Sequence, residues 1–294
     1  MIDVLIDVGG TGLKITYSYD GKINPEPYLF NSKATENADN IIKNFCETVL
    51  YVWEEAVKKY GKNILSNIYM AFPGPFDYKN GVSKMKGLNK YDSIFGVNIP
   101  QAMNSCFNNM GLDIKPNYKF IHDIEAYAIG VCKQHKLNKK KVIYLCIGTG
   151  AGSAYTDNGV ILKNGCGVPE NGWFYYYPFK SGTIDDYISV RGIENLSIEY
   201  MDKKYSPLDI SIQAKKGFKA AIQVYKVFGE NLAEAMHKPI YDFNPECFVI
   251  GGNISKSSEL FIAPLLDSIK KLNCELIVED NTSEMIFHGL STLS

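Results

Sequence analysis

Four short segments carry side chains and backbone suited to phosphate and alcohol chemistry. The first is Asp7-Val8-Gly9-Gly10-Thr11-Gly12-Leu13-Lys14. Glycines at a strand–turn–strand corner leave backbone N–H groups open to phosphate oxygens. Thr11 adds a hydroxyl, and Asp7 at the strand end can hold Mg2+ directly or through water. The same letters fit an ordinary glycine hairpin; the carboxylate just ahead of Gly9-Gly10-Thr11 is what favours phosphate. This is not a Walker loop, because the G-x-x-x-x-G-K-[ST] spacing is absent and a strand follows instead of a helix. The second segment, Gly148-Thr149-Gly150-Ala151-Gly152, has Leu145 at the position that an ungapped shift sets against Asp7. It is therefore expected to offer backbone donors without a metal carboxylate.

The third segment, Ile121-His122-Asp123-Ile124-Glu125-Ala126, puts a carboxylate where a strand meets a helix. Asp123 fits an N-cap accepting from the Glu125 or Ala126 amide, and equally a general base for a hydroxyl nucleophile. Glu125 reads as a first-turn carboxylate favoured by the helix dipole, and His122 as a hydrogen-bonding histidine. The fourth, Phe248-Val249-Ile250-Gly251-Gly252-Asn253, ends a buried strand in a glycine pair, which lets a planar ring approach the backbone.

The elements that must hold these segments follow from periodicity. Residues 2–8 alternate as a strand, 13–19 return, and Asp20-Gly21 turns into a third strand over 22–30. Helical spacing runs over 37–60 and stops at Gly61. A strand over 67–72 runs into Pro73-Gly74-Pro75, which requires a turn. A short helix to Met110, a strand at 118–122 and a helix over 124–135 follow. The second half reads as a strand at 141–147, a hairpin at Asn158-Gly159 and an irregular stretch from Cys166 to Gly192. Helices at 208–216 and 218–238, a strand at 246–250, a helix at 259–272, a strand at 275–279 and a helix from Ser283 complete it. Sliding the chain by 138 residues sets Gly10-Thr11-Gly12 on Gly148-Thr149-Gly150, Tyr17 on Tyr155 and Gly21 on Gly159. Each half thus begins with strand, glycine turn, strand, hairpin, strand, which reads as an internal repeat.

Composition excludes several classes of function. At 294 residues and 46% hydrophobic, the chain can build two domains or one large one. With 31 basic against 32 acidic residues it has no field to attract nucleic acid or an anionic membrane. Arg191 is the sole arginine, so arginine-built phosphate clamps have little to be made from. The seven cysteines include no C-x2–4-C spacing, which argues against a cysteine-built zinc site and a disulfide framework. Those at 132, 146, 247 and 274 read as buried, reduced thiols. Neither a signal-peptide pattern nor an apolar run near the ~20 residues of a membrane span is visible, so a cytoplasmic protein is expected.

Taken together and in order, these segments resemble the ROK family of sugar kinases, within the actin/hexokinase/Hsp70-like superfamily, over nearly the whole chain. Residues 7–14 resemble the family's DxGGTxxK loop. Phe72-Pro73-Gly74-Pro75-Phe76-Asp77 with Asn80-Gly81 resembles its G-[IV]-PGPVD…G segment. His122-Asp123 with Ala126 and Gly130 is similar to N-D-x-N-x-A-x-x-G, which supplies the catalytic aspartate. Residues 145–152 resemble LGTGIGGG, and residues 244–255 resemble DPExVVLGGGIS near adenosine. The departures lie between these matches. Pro169-Glu170-Asn171-Gly172-Trp173 keeps the glutamate and glycine of G-E-x-G-H but has tryptophan for the histidine. The CxCGxxGCxE cysteines are missing from 174–182, Asp185 stands for a sugar-contacting glutamate, and His122 for an asparagine.

The resemblance implies a two-domain, actin-like (ribonuclease H-like) α/β fold with duplicated mixed sheets flanked by helices and an interdomain cleft. Its N-terminal domain would be 1–120, joined by a terminal helix at 283–294, and its larger domain 121–282. It implies ATP–Mg2+ held by Asp7, Gly9, Gly10, Thr11, Gly12, Lys14, Gly148, Thr149, Gly150, Gly251, Gly252 and Asn253. Asp123 would be the general base, with Gly74, His122, Glu170 and Asp185 around a hexose or N-acylhexosamine. No zinc site is expected, the aromatic run Trp173-Phe174-Tyr175-Tyr176-Tyr177 packing where zinc would otherwise hold the loop. A homodimer is implied. The altered pocket keeps a catalytically weak sugar- or nucleotide-binding sensor as the alternative, whereas a DNA-binding repressor is not expected, since the first strand begins at Ile2.

Overall fold

The computed structural model describes residues 1–61, 64–165, 167–270 and 272–293. Cys166, Lys271 and Ser294, which fall within stretches assigned above, lie outside the described residues. The chain divides into two compact units, Met1–Gly130 with Ser283–Ser294, and Val131–Thr282.

In the first unit, β1 (Ile2–Val8) is the middle of a six-stranded sheet. Its Ile2, Val4, Leu5, Ile6 and Val8 are buried, as a strand covered on both faces requires. β2 (Gly12–Tyr19) pairs antiparallel with it, and β3 (Lys22–Ile23) and β4 (Tyr28–Asn31) both pair with β2. The single strand expected over 22–30 is thus two, because Pro25 and Pro27 have no N–H to give the ladder. Next, α1 (Ala38–Tyr60) starts at Asn37, whose side chain accepts from the Asn40 N–H, and ends at Gly61 in the left-handed conformation. Its Ile41, Phe45, Val49, Val52 and Ala56 enter the core. β5 (Leu65–Phe72) runs parallel to β1, the small ribbon β6 (Phe76–Asp77) and β7 (Val82–Ser83) follows, and α2 (Ile99–Asn109) leads to β8 (Asn117–His122), parallel to β5. Parallel strands end at the same edge of a sheet, where α/β folds gather ligand groups. The register pairs Asp7 with Ala71 and Phe72 with His122, so the ends of β1, β5 and β8 lie side by side. Then α3 (Asp123–Gln134) carries the chain into the second unit.

There, β9 (Lys141–Ile147), β10 (Ala151–Asp157) and β11 (Val160–Leu162) form an antiparallel meander. After β12 (Pro178–Phe179), β13 (Gly182–Thr183) and α4 (Ile184–Tyr187) come α5 (Val190–Met201), α6 (Pro207–Lys215) and α7 (Lys219–Phe243). The last was expected to stop before Pro239. It runs on because Met236, Pro239, Ile240 and Phe243 continue its buried face, and Asn244 ends it in the left-handed conformation. β14 (Cys247–Gly251) and β15 (Glu275–Val278) add in parallel to β9. Between them a 3-10 stretch, Asn253–Leu260, precedes α8 (Ala263–Lys270), so the helix expected over 259–272 is shorter. The order β11-β10-β9-β14-β15 repeats the order and sense of β3-β2-β1-β5-β8, and each sheet packs into its own apolar core.

Finally α9 (Thr282–Leu290) rejoins the first unit. It crosses α3 at two glycines: a Cβ on Gly130 would lie 1.8 Å from the Met285 carbonyl oxygen, and one on Gly289 1.9 Å from that of Ala126. No helix of the described residues is long and apolar enough to cross a membrane.

Candidate active site

The first glycine corner, residues 9–12, is braced through its carbonyls. Gly9 N–H donates to the Gly12 carbonyl at 3.0 Å, closing the turn. The Gly9 carbonyl accepts from the Tyr91 hydroxyl at 2.9 Å, and the Gly10 carbonyl from the Ser32 hydroxyl at 2.7 Å. Because a trans peptide points its C=O and N–H in opposite directions, tying these carbonyls back turns the Gly10 and Thr11 amides the other way. Thr11 is exposed, and the stem of Lys90 lies beside Gly10. Such outward amides form an anion cradle.

Asp7 ends β1 just before this corner. Its Oδ2 accepts from Ser283 at 2.9 Å, and Ser283 Oγ in turn accepts from Lys14 Nζ at 2.6 Å. Burial raises the Asp7 carboxyl above the usual aspartate range; Lys14 and the Ser283 bond pull it back, and Asp123 adds a further push upward. Ser283 was not among the sequence candidates, and no local signal marks it.

At the neighbouring strand ends, Asp123 opens α3. Its Oδ1 accepts from the Ile124 N–H at 2.7 Å. His122 Nε2 lies 3.5 Å from the same oxygen, and the Asp123 side chain is 40% exposed. A Cβ on Gly74 would meet the Tyr78 hydroxyl at 3.3 Å and His122 Nε2 at 3.4 Å. The Tyr78 ring stands edge-on to the His122 ring at 5.8 Å, and its hydroxyl donates to the Phe72 carbonyl. Burial, reinforced by Asp123 and Glu125, pushes the Tyr78 phenol far up, which keeps it neutral. Asp7, the glycine corner, Gly74, His122 and Asp123 therefore share one edge of one sheet, with Tyr78 as an addition.

The second unit carries the other candidates. In the second corner Gly148 N–H donates to the Gly150 carbonyl at 2.9 Å, and Val190 N–H to the Gly148 carbonyl at 2.9 Å, which turns the Thr149 amide away from α5. This corner is one residue shorter than the first: Ile147 faces Ala151 across three residues, whereas Val8 faces Leu13 across four. The counterpart of Asp7 is consequently Cys146, not Leu145 as the ungapped shift implied. Cys146 and Asp7 are each next to last in their strand and half-accessible, while Leu145 is buried. The expected absence of a carboxylate still holds. The six described cysteines form no disulfide, and those at 132, 247 and 274 are buried.

Gly251 pairs with Cys146, and a Cβ on Gly252 (φ 87°) would fall 2.3 Å from the Ile147 carbonyl oxygen. The glycine pair thus meets the end of β9, which brings residues 251–253 beside the second corner; Asn253 is exposed. Asp185 reaches the corner from the other side, accepting from the Ala151 N–H at 2.7 Å and from Arg191 Nη2 at 2.6 Å. Glu170 is exposed; it and Asp185 both border the aromatic run, Trp173 N–H donating to the Glu170 carbonyl and Asp185 N–H to that of Tyr175. Phe174 is buried edge-on to Tyr155, while Tyr175 and Tyr176 are 42% exposed. Arg191, missed as a site residue, had its signal in composition.

Two features bear on whether Mg-ATP suits these residues. Gly148 has open space where a side chain would stand, and the first corner turns two amides outward. Among the described residues no three His, Cys, Asp or Glu side chains gather as a metal cage. Magnesium commonly takes one or two carboxylates and completes its shell with water and phosphate oxygens. The lone Asp7 carboxylate, with one oxygen engaged by Ser283, fits that mode.

The chain matches the ROK family over residues 4–280. It is similar to the glucokinase of Thermotoga maritima, 23% identical over 294 residues covering 90% of this chain and 86% of the relative. An N-acetyl-D-glucosamine kinase of Vibrio parahaemolyticus is 24% identical over 275 residues, covering 85% and 83%. In fold it is similar to a Streptomyces griseus ROK glucokinase solved with glucose and AMPPNP, with a TM-score of 0.76 at 15% identity, covering 100% of this chain and 99% of that one.

Proposed function

This chain belongs to the ROK family, and on that footing we propose that it transfers the γ-phosphoryl group of ATP to a hydroxyl of a hexose or N-acylhexosamine. The observation that carries the reading is the shared strand edge of the first unit, where outward amides at Gly10 and Thr11 stand beside the Asp7 and Asp123 carboxylates.

In this reading Gly9, Gly10, Thr11 and Gly12 in the first unit take phosphate oxygens, and Gly148, Thr149 and Gly150 in the second unit do the same. Gly251, Gly252 and Asn253 sit near the adenosine. Asp7 would hold magnesium through water, with Lys14 as a neighbouring cation. Magnesium, when bound, would neutralise charge developing on the phosphates. Gly74 lets the sugar approach; His122, Glu170 and Asp185 hydrogen-bond its hydroxyls. Asp123 accepts the proton of the attacking hydroxyl, aligning it toward the phosphorus. Phosphoryl transfer needs chiefly such alignment and charge neutralisation, and a site closed to water limits ATP hydrolysis. No zinc takes part.

A second reading, a catalytically weak sensor of the same fold, is favoured by one observation. Asp123 already accepts from the Ile124 amide and has His122 where the family pattern has asparagine. A coupled ADP-release screen over glucose, mannose, fructose, N-acetylglucosamine, N-acetylmannosamine and allose separates the two. Turnover of one sugar by wild type, lowered about 10²–10⁴-fold in Asp123→Asn with the ATP KM nearly unchanged, is the expected result. Equal rates in both proteins would remove Asp123 as base.

A further inference from the structure

Arg191 is the one guanidinium among 31 basic residues. Its Nη2 lies 2.6 Å from Asp185 Oδ2 and its Nη1 3.6 Å from Asp186 Oδ1. The other oxygen of Asp185, Oδ1, accepts from the Ala151 N–H at 2.7 Å. Asp186 is itself engaged, its Oδ2 accepting from the Thr183 N–H at 2.9 Å and the Thr183 hydroxyl at 2.7 Å. At the start of α5, the Val190 N–H donates to the Gly148 carbonyl at 2.9 Å. Residues 185–191 thereby grip the second glycine corner at both of its ends. The grip is close: a Cβ on Gly150 would lie 2.7 Å from Asp185 Oδ1.

We propose that Arg191 is a positioning residue which, through Asp185, sets the Gly148-Thr149-Gly150 corner in the shape that receives phosphate. The inference rests on the kinase reading above. A planar fork can engage two consecutive carboxylates at once, which a lysine ammonium does less well. With Oδ2 held by the guanidinium, Oδ1 is aimed at the Ala151 amide. Without that partner the carboxylate is free to turn toward water, and the corner loses the bond at its closing residue. The Arg191 side chain is 54% exposed, so the ion pair contributes little to global stability. Its consequence lies in the local geometry of the corner and in nucleotide binding.

The test compares wild type, Arg191→Ala and Arg191→Lys by three readouts: hydrogen exchange of the Ala151 amide in ligand-free protein, KM for Mg-ATP and for the sugar, and the urea midpoint. In Arg191→Ala the Ala151 amide should exchange about 10-fold faster and the Mg-ATP KM rise about 10-fold, the loss expected of a charge-assisted bond. Because Asp185 also meets the sugar in the kinase reading, the sugar KM should rise as well but by less than the ATP KM; the urea midpoint should hold, and Arg191→Lys should fall between. Unchanged exchange at Ala151, an unchanged ATP KM, or a shift confined to the sugar KM would overturn the proposal while leaving the kinase reading intact. Wild-type protein that neither binds Mg-ATP nor phosphorylates any sugar would overturn the kinase reading and this inference with it.

Discussion

Ser283 Oγ donates to Asp7 Oδ2 at 2.9 Å, joining the first turn of the last helix to the end of the first strand. The same hydroxyl accepts from Lys14 at 2.6 Å, so one serine links a cation to a partly buried acid on the antiparallel partner strand. Asp7 is therefore a carboxylate held in place before any ligand arrives, at an energetic cost set by its burial.

That cost gives a pH-dependent prediction. Burial raises the Asp7 carboxyl in the folded state. A raised folded pKa means that the native chain binds a proton the unfolded chain has already released. Stability from this group is present in acid and is lost as pH climbs through the folded pKa. Asp7→Asn cannot ionise, so its stability relative to wild type should be greater at about pH 7.5 than at about pH 4. Urea midpoints at the two pH values measure this; a gap that instead narrows toward neutral pH would contradict it. Sugar phosphorylation should be lost in the same variant.

The crossing of α9 on α3 makes Gly289 a remote control on Asp7. A methyl group there would lie 1.9 Å from the Ala126 carbonyl oxygen, which is backbone and cannot swing aside. Gly289→Ala should cost about 1–3 kcal/mol of stability. It should also lower activity more than the unfolded fraction explains, because Ser283 moves with the helix. An unperturbed urea midpoint would show that the helices separate without strain.

Metal content tests the remodelled loop. The aromatic run 173–177 fills the stretch in which the family pattern has cysteines, with Phe174 buried against Tyr155. Elemental analysis of purified protein should find no stoichiometric zinc, and dialysis against a chelator should leave the urea midpoint unchanged. One zinc per chain would overturn this account of the loop.

Much of the molecule was legible along the chain because its signals are local. Asn37 and Gly61 bracket α1 as cap chemistry dictates, and β9 runs over 141–147, an apolar run ended by the glycine cluster. The misreadings have identifiable causes. Two prolines divided a strand, a buried apolar face carried α7 through Pro239, and a corner one residue shorter moved the counterpart of Asp7 from Leu145 to Cys146.

By itself, the order of residues determined the elements, the two glycine corners and the acids at strand ends, since turn chemistry and periodicity act over a few neighbours. Tertiary structure alone decided that Ser283 meets Asp7, that Tyr78 stands against His122 and Gly74, and that Arg191 reaches Ala151 through Asp185. Those contacts depend on strand register and helix crossing, which arise from packing between distant segments, and no local pattern in the chain encodes them.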